Sequence, residues 1–173
     1  MRLEASTVGS GRPLDAFRDD SRNLSDAEFL ARHGDAFLLL SSIPTPQPQN
    51  TSSTHLAFSD EPEGNTGALA TLVYPLRSAV HIVSVGRSRD NDVVIPDHSV
   101  SRRHAFLKRE ANGAFVVLDA GSSNGTSVNG KPVLTKGAGP PTPLTPGCTL
   151  RLGSLEFTFV HGAGLRGFAA KGR

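Results

Sequence analysis

The apolar runs of this chain are short, and that limits what it can build. Around its middle they are Asp92-Val93-Val94-Ile95, His104-Ala105-Phe106-Leu107-Lys108 and Ala114-Phe115-Val116-Val117-Leu118. Glycine, Asn, Asp or Ser interrupts each of them within a few residues. A run of this length can cross a sheet but cannot complete a helix with one buried face. The interruptions fall into groups: Gly86-Arg87, Ser101-Arg102-Arg103-His104, Ser122-Ser123-Asn124-Gly125-Thr126 and Asn129-Gly130. The pattern predicts an all-β protein, a two-sheet antiparallel β-sandwich with these groups on its turns. Such loops carry Arg, Ser and Asn but neither paired carboxylates nor a His/Cys cluster. They suit the binding of an anion, and no catalytic residue, metal site or cofactor is expected of them.

At 173 residues the chain can bury a real core, and with 6 % aromatics and no Trp that core is expected to be Val, Leu, Ile and Phe. A single cysteine, Cys148, excludes an internal disulfide and fits a reducing compartment. The longest apolar run, Ala36-Phe37-Leu38-Leu39-Leu40, is far too short to span a bilayer, and a cytoplasmic protein without membrane partners is expected. Charge is uneven: residues 1–85 hold 6 Lys and Arg against 10 Asp and Glu, and residues 86–173 hold 12 against 6. The basic surplus lies in the half with the conspicuous loops, which favours an anionic partner there.

Residues 1–23 are polar and aperiodic and read as a disordered tail. Ser25-Asp26-Ala27-Glu28 is a capping box, predicting a short helix within 24–34 that starts at Asp26 and stops at Gly34. Its Phe29 and Leu30 would face the body. Ala36 to Leu40 then reads as a buried strand, the first of a sandwich domain over 35–161. From 43 to 67 the composition turns to Pro, Ser, Thr, Gln and Asn, a disordered insertion with too little to bury. Thr45 within it reads as a solvated linker threonine ahead of a phosphorylation site.

Strand character resumes at Leu69 to Tyr74 and at Val80 to Val85, where His81 reads as a strand histidine with a hydrogen-bond partner. Asn129-Gly130 is the preferred dipeptide of a two-residue hairpin turn. Residues 134–146 read as an irregular loop. Two further strands, Cys148 to Leu152 and Leu155 to Val160, close a hairpin with Leu155, Phe157 and Phe159 facing inward. Residues 162–173 read as a flexible basic tail.

A phosphate on a side chain presents roughly −1.5 to −2 charges and three acceptor oxygens. Its complement is a guanidinium fork, short hydroxyls and free N–H groups. Arg87 and Arg102 offer the forks, Ser101 and Ser123 the hydroxyls. Asn124 offers an amide that can donate and accept at once, as gripping a peptide backbone requires. Ser101 with His104 is too little for a nucleophile and base, because an orienting acid and an oxyanion hole are missing. His104 is expected instead to tie the Ser101 loop to the Gly86 turn. The alternative is a nucleic-acid surface of Arg87, Arg89, Arg102, Arg103, Lys108 and Arg109. It lacks exposed aromatics for stacking and a basic helix for a groove.

The order Val85-Gly86-Arg87-Ser88, Asn91 to Ile95, Val100-Ser101-Arg102-Arg103-His104-Ala105, Leu118-Asp119, Gly121 to Thr126, Val128-Asn129-Gly130 and Leu152-Gly153 resembles the forkhead-associated (FHA) family. The resemblance spans about 69–160. It implies a small β-sandwich that binds phosphothreonine peptides without catalysis, an adaptor in Ser/Thr kinase signalling. Its partner would be a phosphothreonine-containing protein, a Ser/Thr kinase or its substrate. Position by position it implies Arg87, Ser101 and Arg102 as phosphate ligands, Ser123 beside the peptide and Asn124 as the backbone clamp. Gly86, His104, Gly125 and Asn129 take scaffold positions. The N-terminal helix lies outside the family pattern.

Overall fold

The computed structural model describes residues 11–42, 71–77 and 81–171. Its elements, in chain order, begin with β1 (Arg12–Pro13), a 3-10 turn (Leu14–Phe17), α1 (Arg18–Asn23), α2 (Asp26–His33), β2 (Ala36–Ser42) and β3 (Leu72–Pro75). There follow β4 (Ile82–Gly86), β5 (Val93–Val94), β6 (Ala105–Arg109), β7 (Phe115–Asp119), β8 (Thr126–Val128) and β9 (Lys131–Pro132). β10 (Thr142–Leu144), β11 (Thr149–Leu152), β12 (Leu155–His161) and α3 (Gly162–Lys171) complete the chain.

The strands form two sheets, in the orders β1-β3-β2-β12-β11-β8-β9 and β10-β7-β6-β4-β5. Every pair is antiparallel except β4–β5, a two-residue parallel pair. The sandwich expected from the sequence is present, with this one departure from a purely antiparallel layout. Between the sheets, Leu38, Leu150, Leu152, Phe157 and Phe159 of the first meet Val83, Val85, Leu107, Phe115 and Val117 of the second, all buried. The expected inward face of β12 is observed. Asn129 and Gly130 both take positive φ, 49° and 78°, in the predicted tight turn between β8 and β9.

The capping box is also in place. Ser25 Oγ accepts the Glu28 N–H at 3.4 Å, and Glu28 Oε2 accepts the Ser25 hydroxyl at 2.6 Å and its N–H at 2.9 Å, which together hold the Glu28 carboxyl below its ordinary pKa. Gly34 ends α2 with φ 99° but ψ 172°, so the stop is not the left-handed cap expected.

Four readings are corrected. Residues 12–23 are not a tail: they form β1, the 3-10 turn and α1, and Phe17 among them is fully buried. Residues 162–171 form α3, whose Leu165 and Ala169 are buried. Together with α2, these segments cover the outer face of the seven-stranded sheet, packing Phe17, Phe29, Leu165 and Ala169 against Phe37, Leu39, Val73 and Val160. The loop at 134–146 contains β10, which adds an edge strand to β7. His81 precedes β4, exposed and at φ 59°; its carbonyl, not its ring, accepts the Arg109 N–H. The disordered reading of 43–67, Thr45 included, and those of residues 1–10, 69–70, 80 and 172–173 lie outside the described residues.

Candidate functional site

Three loops meet at one end of the sandwich. The first leaves β4 at Gly86. A Cβ there would fall on the Arg102 carbonyl oxygen and come within 2.9 Å of Asn91 Nδ2, so only glycine lets the two loops approach this closely. The approach is used: Arg87 N–H donates to the Ser101 carbonyl at 2.9 Å and Ser88 N–H to the Arg102 carbonyl at 3.1 Å. Arg87 Nε donates to the Val100 carbonyl at 3.3 Å, which stations the guanidinium along the second loop.

The buried imidazole of His104 links the second loop to the third. Its Nδ1 accepts the Ser101 N–H at 3.0 Å, so the ring is the neutral tautomer with its proton on Nε2. That proton goes to the Gly125 carbonyl, 3.1 Å away. Burial lowers the His104 pKa against the opposing pull of Gly125 and Asp119. The ring is therefore a structural strut, with neither nitrogen left for Ser101 Oγ. Ser101 Oγ accepts the Ser123 N–H at 3.0 Å and lies 3.5 Å from Ser123 Oγ, so the two hydroxyls form one donor pair. Asn124 Nδ2 donates to the Ser99 carbonyl at 2.8 Å.

The loops enclose an open groove of about 570 Å³. Arg87, Ser101, Arg102, Ser123 and Asn124, the five ligand positions read from the sequence, all line it. Arg103 also lines it but pairs with Asp90 at 3.5 Å, whereas Arg87 and Arg102 have no carboxylate partner among the described residues. Of the scaffold positions, Gly86, His104 and Gly125 brace these loops. Asn129 does not: it sits at the far end of β8, where its Oδ1 accepts the Thr149 N–H at 2.9 Å and registers β11. The basic surface of the alternative reading is not continuous. Lys108 pairs with Glu110 at 3.1 Å and Arg109 with Asp35 at 2.7 Å, and neither lines the groove.

Three organising residues carried no role in the sequence reading. Asp119 is buried, and its carboxylate takes the N–H groups of Gly121 and Ser122 and the hydroxyls of Ser122 and Thr126, all at 2.6–2.8 Å. Burial alone would raise its pKa, but these four donors outweigh it and hold the carboxyl below its ordinary value. Asn91, also buried, spans the first two loops, its Nδ2 donating to the Ser88 and Arg102 carbonyls at 2.8 and 2.7 Å. Ser99 Oγ donates to Asp97 at 2.6 Å and accepts the Ser154 N–H at 3.0 Å, tying Asn124's support to the β11–β12 hairpin. The signal for Asp119 was present: an acid at a strand end followed by Ala-Gly-Ser-Ser is a ready acceptor for loop N–H groups.

Chemically, the groove presents two uncompensated guanidiniums, a pair of hydroxyls and an amide. The family model described as FHA domain matches residues 83–153. The oxoglutarate dehydrogenase inhibitor of Corynebacterium diphtheriae is 35 % identical over 98 residues, 57 % of this chain and 59 % of that protein. The glycogen accumulation regulator GarA of Mycobacterium tuberculosis is 40 % identical over 81 residues, 47 % of this chain and 46 % of that protein. The matches thus span only about half the length of these relatives. A solved structure, from a structural and functional analysis of phosphothreonine-dependent FHA domain interactions, aligns with a TM-score of 0.48 at 25 % identity, over 73 % of this chain and 95 % of that one. The similarity to the FHA domain family thus lies in residues 83–153, the segment that carries the three loops of the groove.

Proposed function

We propose that the groove is a non-catalytic reader of phosphothreonine in partner proteins, and that the chain acts as an adaptor in Ser/Thr kinase signalling. One observation carries the reading. Arg87, Ser101 and Ser123 come from three loops, yet direct hydrogen bonds join them into a single cationic donor cluster. In this reading Arg87 and Arg102 hold the phosphate oxygens and Ser101 donates its hydroxyl proton to one of them. Ser123 flanks the phosphothreonine, and Asn124 meets the peptide backbone with its amide oxygen, its nitrogen being engaged on Ser99. Each charge-assisted bond contributes roughly 1.5–3 kcal/mol, so losing the phosphate removes most of the affinity.

Fluorescence anisotropy with one peptide, phosphorylated on threonine and unmodified, tests this. Binding confined to the phosphorylated form, and lowered about 10- to 100-fold by Ser101→Ala, is expected. Equal binding of both forms, or undiminished binding by Arg87→Ala, would overturn it. Salt-sensitive retention on DNA that phosphopeptide does not compete away would favour the nucleic-acid alternative.

A further inference from the structure

A second pair of uncompensated guanidiniums lies outside the groove, in the helical layer. Arg12 on β1 stands opposite Val73 of β3, so its side chain shares the outer face of the seven-stranded sheet with Val73. Its guanidinium carbon sits 4.8 Å from the centroid of the Phe17 ring, and Phe17 meets the His33 ring edge-on at 5.0 Å. Arg77, just past the end of β3, reaches the same pair, its Nε donating to the His33 carbonyl at 3.0 Å. Both forks are therefore anchored on one small cluster, Arg12 by a ring face and Arg77 by a backbone oxygen. Neither anchor cancels a charge.

Three other arginines of this layer find acids, while Arg22 on α1, like Arg12 and Arg77, has no ion pair among the described residues. Arg18 pairs with Asp15, Arg32 with Asp20 and Arg166 with Asp26. Arg12 and Arg77 form no ion pair among the described residues. The carboxylate beside His33, that of Asp20, is divided between the His33 ring at 2.7 Å and Arg32 at 2.9 Å. Burial and the charge of Arg12 lower the Arg77 pKa, and both arginines add to the burial that lowers the His33 pKa against the pull of Asp20. Two uncancelled guanidinium charges anchored on one Phe17–His33 pair are relieved by an anion that bridges them, and guanidinium forks match oxyanion geometry.

We propose that Arg12 and Arg77 form a second oxyanion-binding site, distinct from the groove and able to take a phosphate group or a carboxylate. It lies at the opposite end of the sandwich: Arg77 follows the β3 residue Pro75, which pairs with Phe37 and through it with Val160, near the C-terminal end of β12. The groove adjoins the N-terminal end of that strand, where Ser154 meets Ser99. The site is independent of what the groove binds.

The test uses the full chain carrying Arg87→Ala and Ser101→Ala, which disarms the groove. Thermal unfolding is followed across a series of inorganic phosphate concentrations, with chloride holding ionic strength constant. The expected result is a melting temperature that climbs with phosphate and no longer does so once Arg12→Gln and Arg77→Gln are added. No climb in the groove-disarmed chain, or an unchanged climb in the quadruple variant, overturns the site. Should the added substitutions prevent folding, the Arg77 Nε–Hε NMR signal of the groove-disarmed chain decides. Movement with phosphate supports the site and a stationary signal overturns it. An acetate series separates the two sources. A weaker effect than that of phosphate assigns the site to phosphate groups, and an equal or stronger one assigns it to protein carboxylates.

Discussion

The two sheets of this sandwich present opposite outer faces. On the seven-stranded sheet, Phe37 and Val73 are wholly buried beneath α1, α2, α3 and the 3-10 turn. On the five-stranded sheet the corresponding face is open. Ile82 is 43 % exposed, Phe106, Val116 and Leu118 are half-buried, and the Lys136 ammonium, 5.5 Å from the Phe106 ring centroid, shields part of it. The covered face uses both ends of the described chain at once. Arg166 of α3 donates Nε to the Ser21 carbonyl at 2.9 Å and Nη2 to the Leu24 carbonyl at 2.8 Å, and pairs with the Asp26 carboxylate. The difference teaches that the terminal segments complete a second apolar core. The groove is built by other means, from short polar bonds among three loops, of which only the one from β7 to β8 joins the two sheets.

If the contrast is real, truncation on the covered face is costly and truncation on the open face is not. Phe17→Ala should destabilise by about 3–5 kcal/mol in urea denaturation. A loss below about 1 kcal/mol would mean that the layer is loosely held. Next comes the clasp. Arg166→Ala strips donors from two carbonyls and should cost about 1–3 kcal/mol. Hydrogen exchange should show faster exchange in 14–33 but not in β6 or β7, and uniform acceleration would contradict two separately held regions.

Acid should act on both regions in the same direction, since each contains one buried imidazole with a lowered pKa: His33 in the layer and His104 beneath the groove. The unfolded chain takes up these protons first. The stability they provide is therefore complete above the ordinary histidine pKa of about 6.5 and is lost as pH falls through the folded values. Denaturation midpoints should decline below that pH, and a midpoint that rises on acidification would show that protonated His33 gains more from Asp20 than burial costs it. The smallest effect belongs to the open face, where Ile82→Thr should stay within about 0.5 kcal/mol.

The parts legible in advance were those whose cause is local. The capping box at Ser25 and Glu28, the Asn129-Gly130 turn and the alternation of β12 each follow from residues within a few positions of one another. The groove was legible for a related reason: the side chains that line it sit in compact loop motifs, and a short motif carries its own geometry. Residues 12–23 and 162–171 were not. Leu14 and Phe17 make too short an apolar pattern to announce a turn of helix, and three glycines between Gly162 and Gly167 argue against α3. Each segment becomes ordered only because the other, together with the outer face of β2, β3 and β12, gives it something to bury.

Alone, the sequence determined the strand periods, the turn positions and the set of loop side chains able to meet an anion. These rest on backbone preferences that act over a few residues. Only the tertiary structure decided that Arg87 and Arg102 stand without acids while Arg103 is paired, and that Asp119 and Asn91 brace the loops. It decided too that the two termini are clasped across one sheet. Charge compensation and burial depend on which distant residues become neighbours, and no local preference encodes that.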